Sequence, residues 1–106
     1  MIDKMLEVAN MKDMLETANT KMTAGQIAIR IIEKTAAMKG LTQEALANKL
    51  GIARQTVAAR FSKRSMTLDD FIDTAYAIGT NPARVIADAV RIKTEETTAL
   101  ADGGDV

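Results

Sequence analysis

The 106-residue chain has room for one domain with one core, and its 47% hydrophobic content is ample for a compact fold. It contains neither Cys nor His, which excludes disulfides, thiol chemistry, the usual zinc sites and imidazole acid–base catalysis. The formal net charge is zero, yet the segment from Ala24 to Met66 carries eight basic residues against two acidic, a balance of +6 that leaves −6 for the remainder. A basic segment in an otherwise acidic chain is the footprint of a face that meets phosphates, although charge alone would also allow chance clustering on solvated helices. Phe61, Phe71 and Tyr76 are the only aromatic residues, so the core must be aliphatic and Met-rich, which favours helices. No apolar run approaches the roughly 18–20 residues needed to span a bilayer, and Met1 to Asn10 lacks the pattern of a signal peptide. A cytoplasmic protein without a membrane segment is the expectation.

In chain order, residues 1–22 read as an amphipathic helical arm. Met5-Leu6-Glu7-Val8-Ala9-Asn10 is echoed nine positions later by Met14-Leu15-Glu16-Thr17-Ala18-Asn19. Nine residues turn a helix by about 180°. Ile2, Met5, Leu6 and Ala9 therefore form one apolar stripe, and Met11, Met14, Leu15, Ala18 and Met22 a second on the opposite side. Either the helix breaks near Asn10 or it has two apolar faces. The arm then serves as a dimerisation element or protein-partner site, or packs on its own domain.

Thr23-Ala24-Gly25-Gln26 reads as a capping box opening a helix that runs to about Lys39, with Ile27, Ala28, Ile31, Ile32, Thr35 and Met38 as its buried stripe. Gly40 is placed to end it. Thr42 caps a short helix from Gln43 to Leu50, stopped by Gly51, and a third helix spans about Ala53 to Ser62. Thr67 is the next N-cap, before a fourth helix carrying Leu68, Phe71, Ile72, Ala75 and Ile78 and ended by Gly79. Asn81-Pro82 starts a fifth, with Val85, Ile86, Ala89 and Val90, that is expected to reach about Ile92. Residues 93–106 turn to Thr, Glu, Asp and Gly without periodicity and are expected to be a mobile acidic tail. The class is all-α, with a domain over residues 23–92.

The candidate site lies between Thr42 and Arg64. Ala47 is small where two helices must approach, Gly51 supplies a sharp turn, and Leu46, Leu50, Ile52 and Val57 are apolar where a helix pair at about 90–120° buries its inner side. On a wheel centred on Val57, Ala53 and Phe61 share the buried side, whereas Gln55, Ala59, Ser62 and Lys63 point away and Arg54 and Arg60 flank. That exposed face suits a DNA major groove: Ala59 admits close approach or touches a thymine methyl, Gln can read adenine, and Arg guanine or phosphate. These residues and Arg64 belong to the candidate DNA-binding set.

The stretch Leu41-Thr42-Gln43-Glu44-Ala45-Leu46-Ala47-Asn48-Lys49-Leu50-Gly51-Ile52 resembles the lambda-repressor-like (Cro/C1-type, XRE) helix-turn-helix family, and the likeness extends from about Thr23 to Ile92. The resemblance implies a five-helix DNA-binding domain with its helix-turn-helix at 42–62. It implies that Gln43 anchors the second helix to the phosphate backbone, that Arg54, Gln55 and Thr56 meet base edges or nearby phosphates, and that Ser62 and Lys63 touch the backbone. It also makes the fifth helix a dimer surface. Family members usually place an apolar residue at the position of Arg60 and often a polar one at Phe61. Here either Phe61 fills that part of the core, or Arg60 lays its stem across the core edge and sends its guanidinium to a phosphate.

The expected function is that of a phage-type repressor that binds double-stranded DNA as a homodimer on a near-palindromic operator, without cofactor or metal. An antitoxin-type regulator, clamping a toxin through the arm or tail and controlling its own operon, is the alternative. An adaptor whose helix pair binds no DNA is a third reading, against which the polar Gln43, Arg54, Gln55 and Lys63 count. An enzyme is not expected, because Asp69, Asp70 and Asp73, the nearest acidic cluster, read as helix first-turn charges.

Overall fold

The computed structural model describes residues 22–105, with side chains to residue 96. Among the described residues the protein is all-helical, with five helices: α1 (Ala24–Met38), α2 (Gln43–Leu50), α3 (Arg54–Lys63), α4 (Leu68–Ile78) and α5 (Pro82–Asp105). The N-terminal repeat, and with it the expected arm up to Lys21, lies outside the described residues. Met22, assigned above to the arm, is 7% exposed and belongs to the core.

The helix starts follow from local chemistry. Thr23 Oγ1 accepts from the Gln26 amide at 3.1 Å while Gln26 Oε1 accepts from the Thr23 amide at 2.9 Å, which completes the capping box. Thr42 and Thr67 cap α2 and α4 by accepting from the Ala45 and Asp70 amides, each at 3.1 Å. Asn81 Oδ1 accepts from the Ala83 amide at 2.9 Å ahead of α5, with Pro82 at the first helical position. Each such cap contributes about 1 kcal/mol by satisfying amides that a helix start leaves open.

α1 is the central helix, packed most extensively on α5 and also on α4 and α3. Its buried side is centred on Ile32, which is fully enclosed, with Ala28, Ile29 and Ala36 beside it and Ile27 also buried. The stripe expected from sequence was rotated: it included Met38, which is 84% exposed, and left out Ile29. A helix covered on several sides buries a wider arc than a one-face pattern reveals. The core continues through Leu46, Ala47, Val57, Phe61, Phe71, Ala75, Ile78, Val85 and Ala89. Thr74 is the buried polar side chain, and its hydroxyl donates to the Asp70 carbonyl at 2.6 Å.

α5 departs from expectation in length: it does not stop near Ile92 but continues to Asp105, through the segment read as a mobile acidic tail. No Gly or Pro interrupts residues 93–102. Without such a breaker, the helix nucleated at Pro82 propagates through that stretch. Leu68, Ile86 and Val90, expected to be buried, are 64%, 36% and 47% exposed and line a groove of about 280 Å³ with Ala28, Ile29 and Phe71.

Candidate nucleic-acid interface

α2 and α3 are joined by the turn Gly51-Ile52-Ala53, and the two helices pack directly on each other. Gly51 adopts φ 69°, a left-handed conformation in which a side chain would be strained. The Ile52 amide then donates to the Ala47 carbonyl at 3.1 Å, closing α2 and sending the chain back across it. Ala47 is 2% exposed, in the same core cluster as Val57 and Phe61. Val57 and Phe61, one turn apart on α3, thus anchor its inner side, and its outer side is set by helical periodicity.

Gln55, Thr56, Ala59, Arg60 and Lys63 line one open depression of about 370 Å³ on α3, together with Ser65. No acidic residue occurs in α3, whose last turn holds Arg60 and Lys63. Its N-cap, Ala53, makes no side-chain cap hydrogen bond. The first amides of α3, beside Arg54 and Gln55, therefore present the positive end of the helix dipole to solvent. Arg54 and Gln55 are exposed there, and Thr56 is half-buried.

The other candidate residues stand apart from the depression in different ways. Ser62 is exposed and donates through Oγ to the Ala59 carbonyl at 3.3 Å. Gln43 lies at the start of α2 in a separate recess with Glu33, Ala36, Ala37, Leu41, Leu46 and Phe61. Arg64 forms the C-cap of α3 with φ 49°, the one non-glycine residue with positive φ among those described, and its Nε is enclosed without a hydrogen-bond partner.

Of the two alternatives open for Arg60 and Phe61, the core position belongs to Phe61, which is 4% exposed. Arg60 borders a small recess with Leu50, Val57, Met66 and Thr74, so its stem covers the core edge. Its guanidinium pairs with the Asp70 carboxylate at 3.3 Å on the first turn of α4.

Ser65, which also lines the depression, is not among the residues that the sequence singles out. Its position follows from the left-handed exit at Arg64, which turns the chain so that the Ser65 amide donates back to the Arg60 carbonyl at 3.1 Å. An Arg gives no sequence signal for such a turn.

Comparison with known protein families, curated proteins and solved structures finds no match to the chain. Among the described residues no helix is long and apolar enough to cross a membrane.

Proposed function

We propose that this protein is a sequence-reading regulator that binds double-stranded DNA, a repressor of the phage type with lambda-repressor-like helix-turn-helix architecture, acting in the cytoplasm as a homodimer. The observation that carries the reading is the grouping of Gln55, Thr56, Ala59, Arg60 and Lys63 on the outer side of α3, opposite its anchors Val57 and Phe61. Gln55 and Thr56 can read base edges, Lys63 can neutralise a phosphate, and the small Ala59 in their midst allows a base edge to come close. The uncapped start of α3 adds donors for a phosphate. Gln43, Ser62 and Arg64 extend the set toward the sugar–phosphate backbone on either side.

One α3 helix reads too little sequence to select a unique site, since each bidentate base contact discriminates by about 1–3 kcal/mol. Two copies with their α3 helices about 34 Å apart read a near-palindrome across one DNA turn. The partner surface is the side of α5 that exposes Ile86 and Val90 beside Leu68. α5 packs on α1 and α4, so a second copy seated there leaves α3 free for DNA.

The test is selection from a library of random duplexes at two salt concentrations, with the wild type beside an Arg54→Ala/Gln55→Ala variant. Enrichment of a near-palindrome by the wild type, lost in the variant, is the expected outcome. Affinity should fall steeply with salt, as for a protein that neutralises about six phosphates. Absence of any enriched sequence at either salt would sink the reading.

A further inference from the structure

The ion pair between Arg60 and Asp70 gives the proposed DNA-reading surface a component outside the helix-turn-helix segment, and the inference rests on that DNA-binding reading. α3 packs on α2 and, more lightly, on α1. Arg60 and Asp70 link α3 to α4 at 3.3 Å, with side chains 23% and 35% exposed. Asp70 is fixed on both sides: its amide donates to Thr67 Oγ1 at 3.1 Å, and its carbonyl accepts from Thr74 at 2.6 Å. The carboxylate is thus presented from a rigid first turn of α4, where the helix dipole favours its charge. Arg60, for its part, spans from the outer depression to the recess beside Leu50, Val57 and Phe61.

We infer that Asp70 is a positioning residue for DNA reading, which holds the Arg60 guanidinium away from the phosphates and fixes the orientation of α3. A paired Arg–Asp is neutral toward a distant anion, so in this arrangement Arg60 adds little to sequence-independent attraction. Its stem and guanidinium set how α3 sits against the rest of the domain. Arg54, Lys63 and Arg64 then supply the cationic contacts, and Gln55 and Thr56 meet bases in a fixed frame. An unlatched Arg60 reaches a phosphate instead, which raises affinity for every duplex and lets α3 tilt.

The test compares Asp70→Asn with Asp69→Asn, its exposed neighbour on the same turn, so that both variants lose one negative charge. The probes are the wild-type-selected duplex and a random duplex of equal length, titrated across salt. Asp70→Asn should steepen the log K against log salt slope by about one relative to Asp69→Asn, the signature of one further phosphate contact. It should also lower the ratio of selected to random affinity on the order of tenfold, the size of one mis-set base contact. Neither change should occur when Asp70→Asn is placed in an Arg60→Gln background. Equal behaviour of the two Asn variants, or an effect that persists without Arg60, overturns the inference while leaving the DNA-binding reading standing. No duplex preference in the wild type overturns both.

Arg60→Gln alone provides a second measurement that does not depend on how well Asp70→Asn folds. Its selected-to-random ratio should fall with the salt slope unchanged, whereas a slope shallower by about one would mean that Arg60 is itself a phosphate contact and would overturn the inference. In the free protein, the Arg60 Nε–Hε NMR signal should be ordered in the wild type and motionally averaged in Asp70→Asn. An unchanged signal counts against the latch.

Discussion

Arg64 closes α3 with a bond pattern that glycines provide elsewhere in the fold. The Ser65 amide donates to the Arg60 carbonyl, five residues back, just as the Ile52 and Thr80 amides donate to Ala47 and Ala75 past Gly51 and Gly79. The left-handed conformation costs an L-residue with a side chain about 1–2 kcal/mol, and no compensating hydrogen bond to Arg64 Nε is present. Strain retained between Lys63 and Ser65, which both line the depression, is what a binding role for the guanidinium would explain. Arg64→Gly should therefore stabilise the fold by about 0.5–1 kcal/mol, after the extra backbone entropy of glycine in the unfolded chain is deducted. The same substitution should weaken duplex binding and make the salt slope shallower by about one. Thermal unfolding and a salt titration check the two halves. A variant that gains stability with DNA affinity intact would show that Arg64 is only an imperfect cap.

At the level of elements, α4 ends in a cationic clamp built by other helices. Lys39 Nζ donates to the Ile78 and Gly79 carbonyls at 3.0 Å each, and Lys49 Nζ donates to the Ala77 carbonyl at 3.3 Å. Carbonyls at a helix C-terminus carry partial negative charge, so the ammonium groups answer both the open acceptors and the dipole. Lys39→Met should cost about 0.5–1 kcal/mol, a value kept low because the bonds are largely solvent-exposed. Amide exchange at Gly79 and Thr80 should quicken ahead of the core; uniform protection across α4 would show the clamp to be idle. Neither lysine declares this role in the sequence, because the contacts join residues 28 to 40 positions apart and depend on how α1 and α2 pack on α4. The caps, by contrast, were legible: Thr23, Thr42, Thr67 and Asn81 act within three residues of themselves, and local chemistry decides them. On α3, Val57 and Phe61 mark the inner face as the periodicity expects, whereas Ala53, expected beside them, is exposed because it is the N-cap and stands outside the helical repeat. What sequence could not supply was the partner of Arg60, the turn at Arg64 and the length of α5, which runs on through Gly103 and Gly104 to Asp105.

For the molecule as a whole, the apolar surface that remains open decides how two copies would meet. Ile86 and Val90 lie one turn apart on α5, and with Leu68 they leave a groove that the core does not fill. Single exposed hydrophobic residues are ordinary, but a contiguous lined groove on the longest helix is a stronger sign of a partner surface. Two surfaces compete for this role: the α5 groove, and the N-terminal segment with its nine-residue repeat. Val90→Glu separates them, because a side chain already 47% exposed can accept a charge without loss of the fold, whereas burying that charge in a dimer costs several kcal/mol. Sedimentation of this variant beside a chain lacking residues 1–21 gives the readout. If α5 is the interface, Val90→Glu is a folded monomer whose cooperative unfolding midpoint no longer depends on protein concentration, the truncated chain remains dimeric, and only the former loses its preference for a near-palindrome over a single half-site. A monomeric truncated chain beside a dimeric Val90→Glu would instead assign assembly to the N-terminal repeat. It would also require α3 helices spaced by something other than the α5 contact, and with them a different separation between operator half-sites.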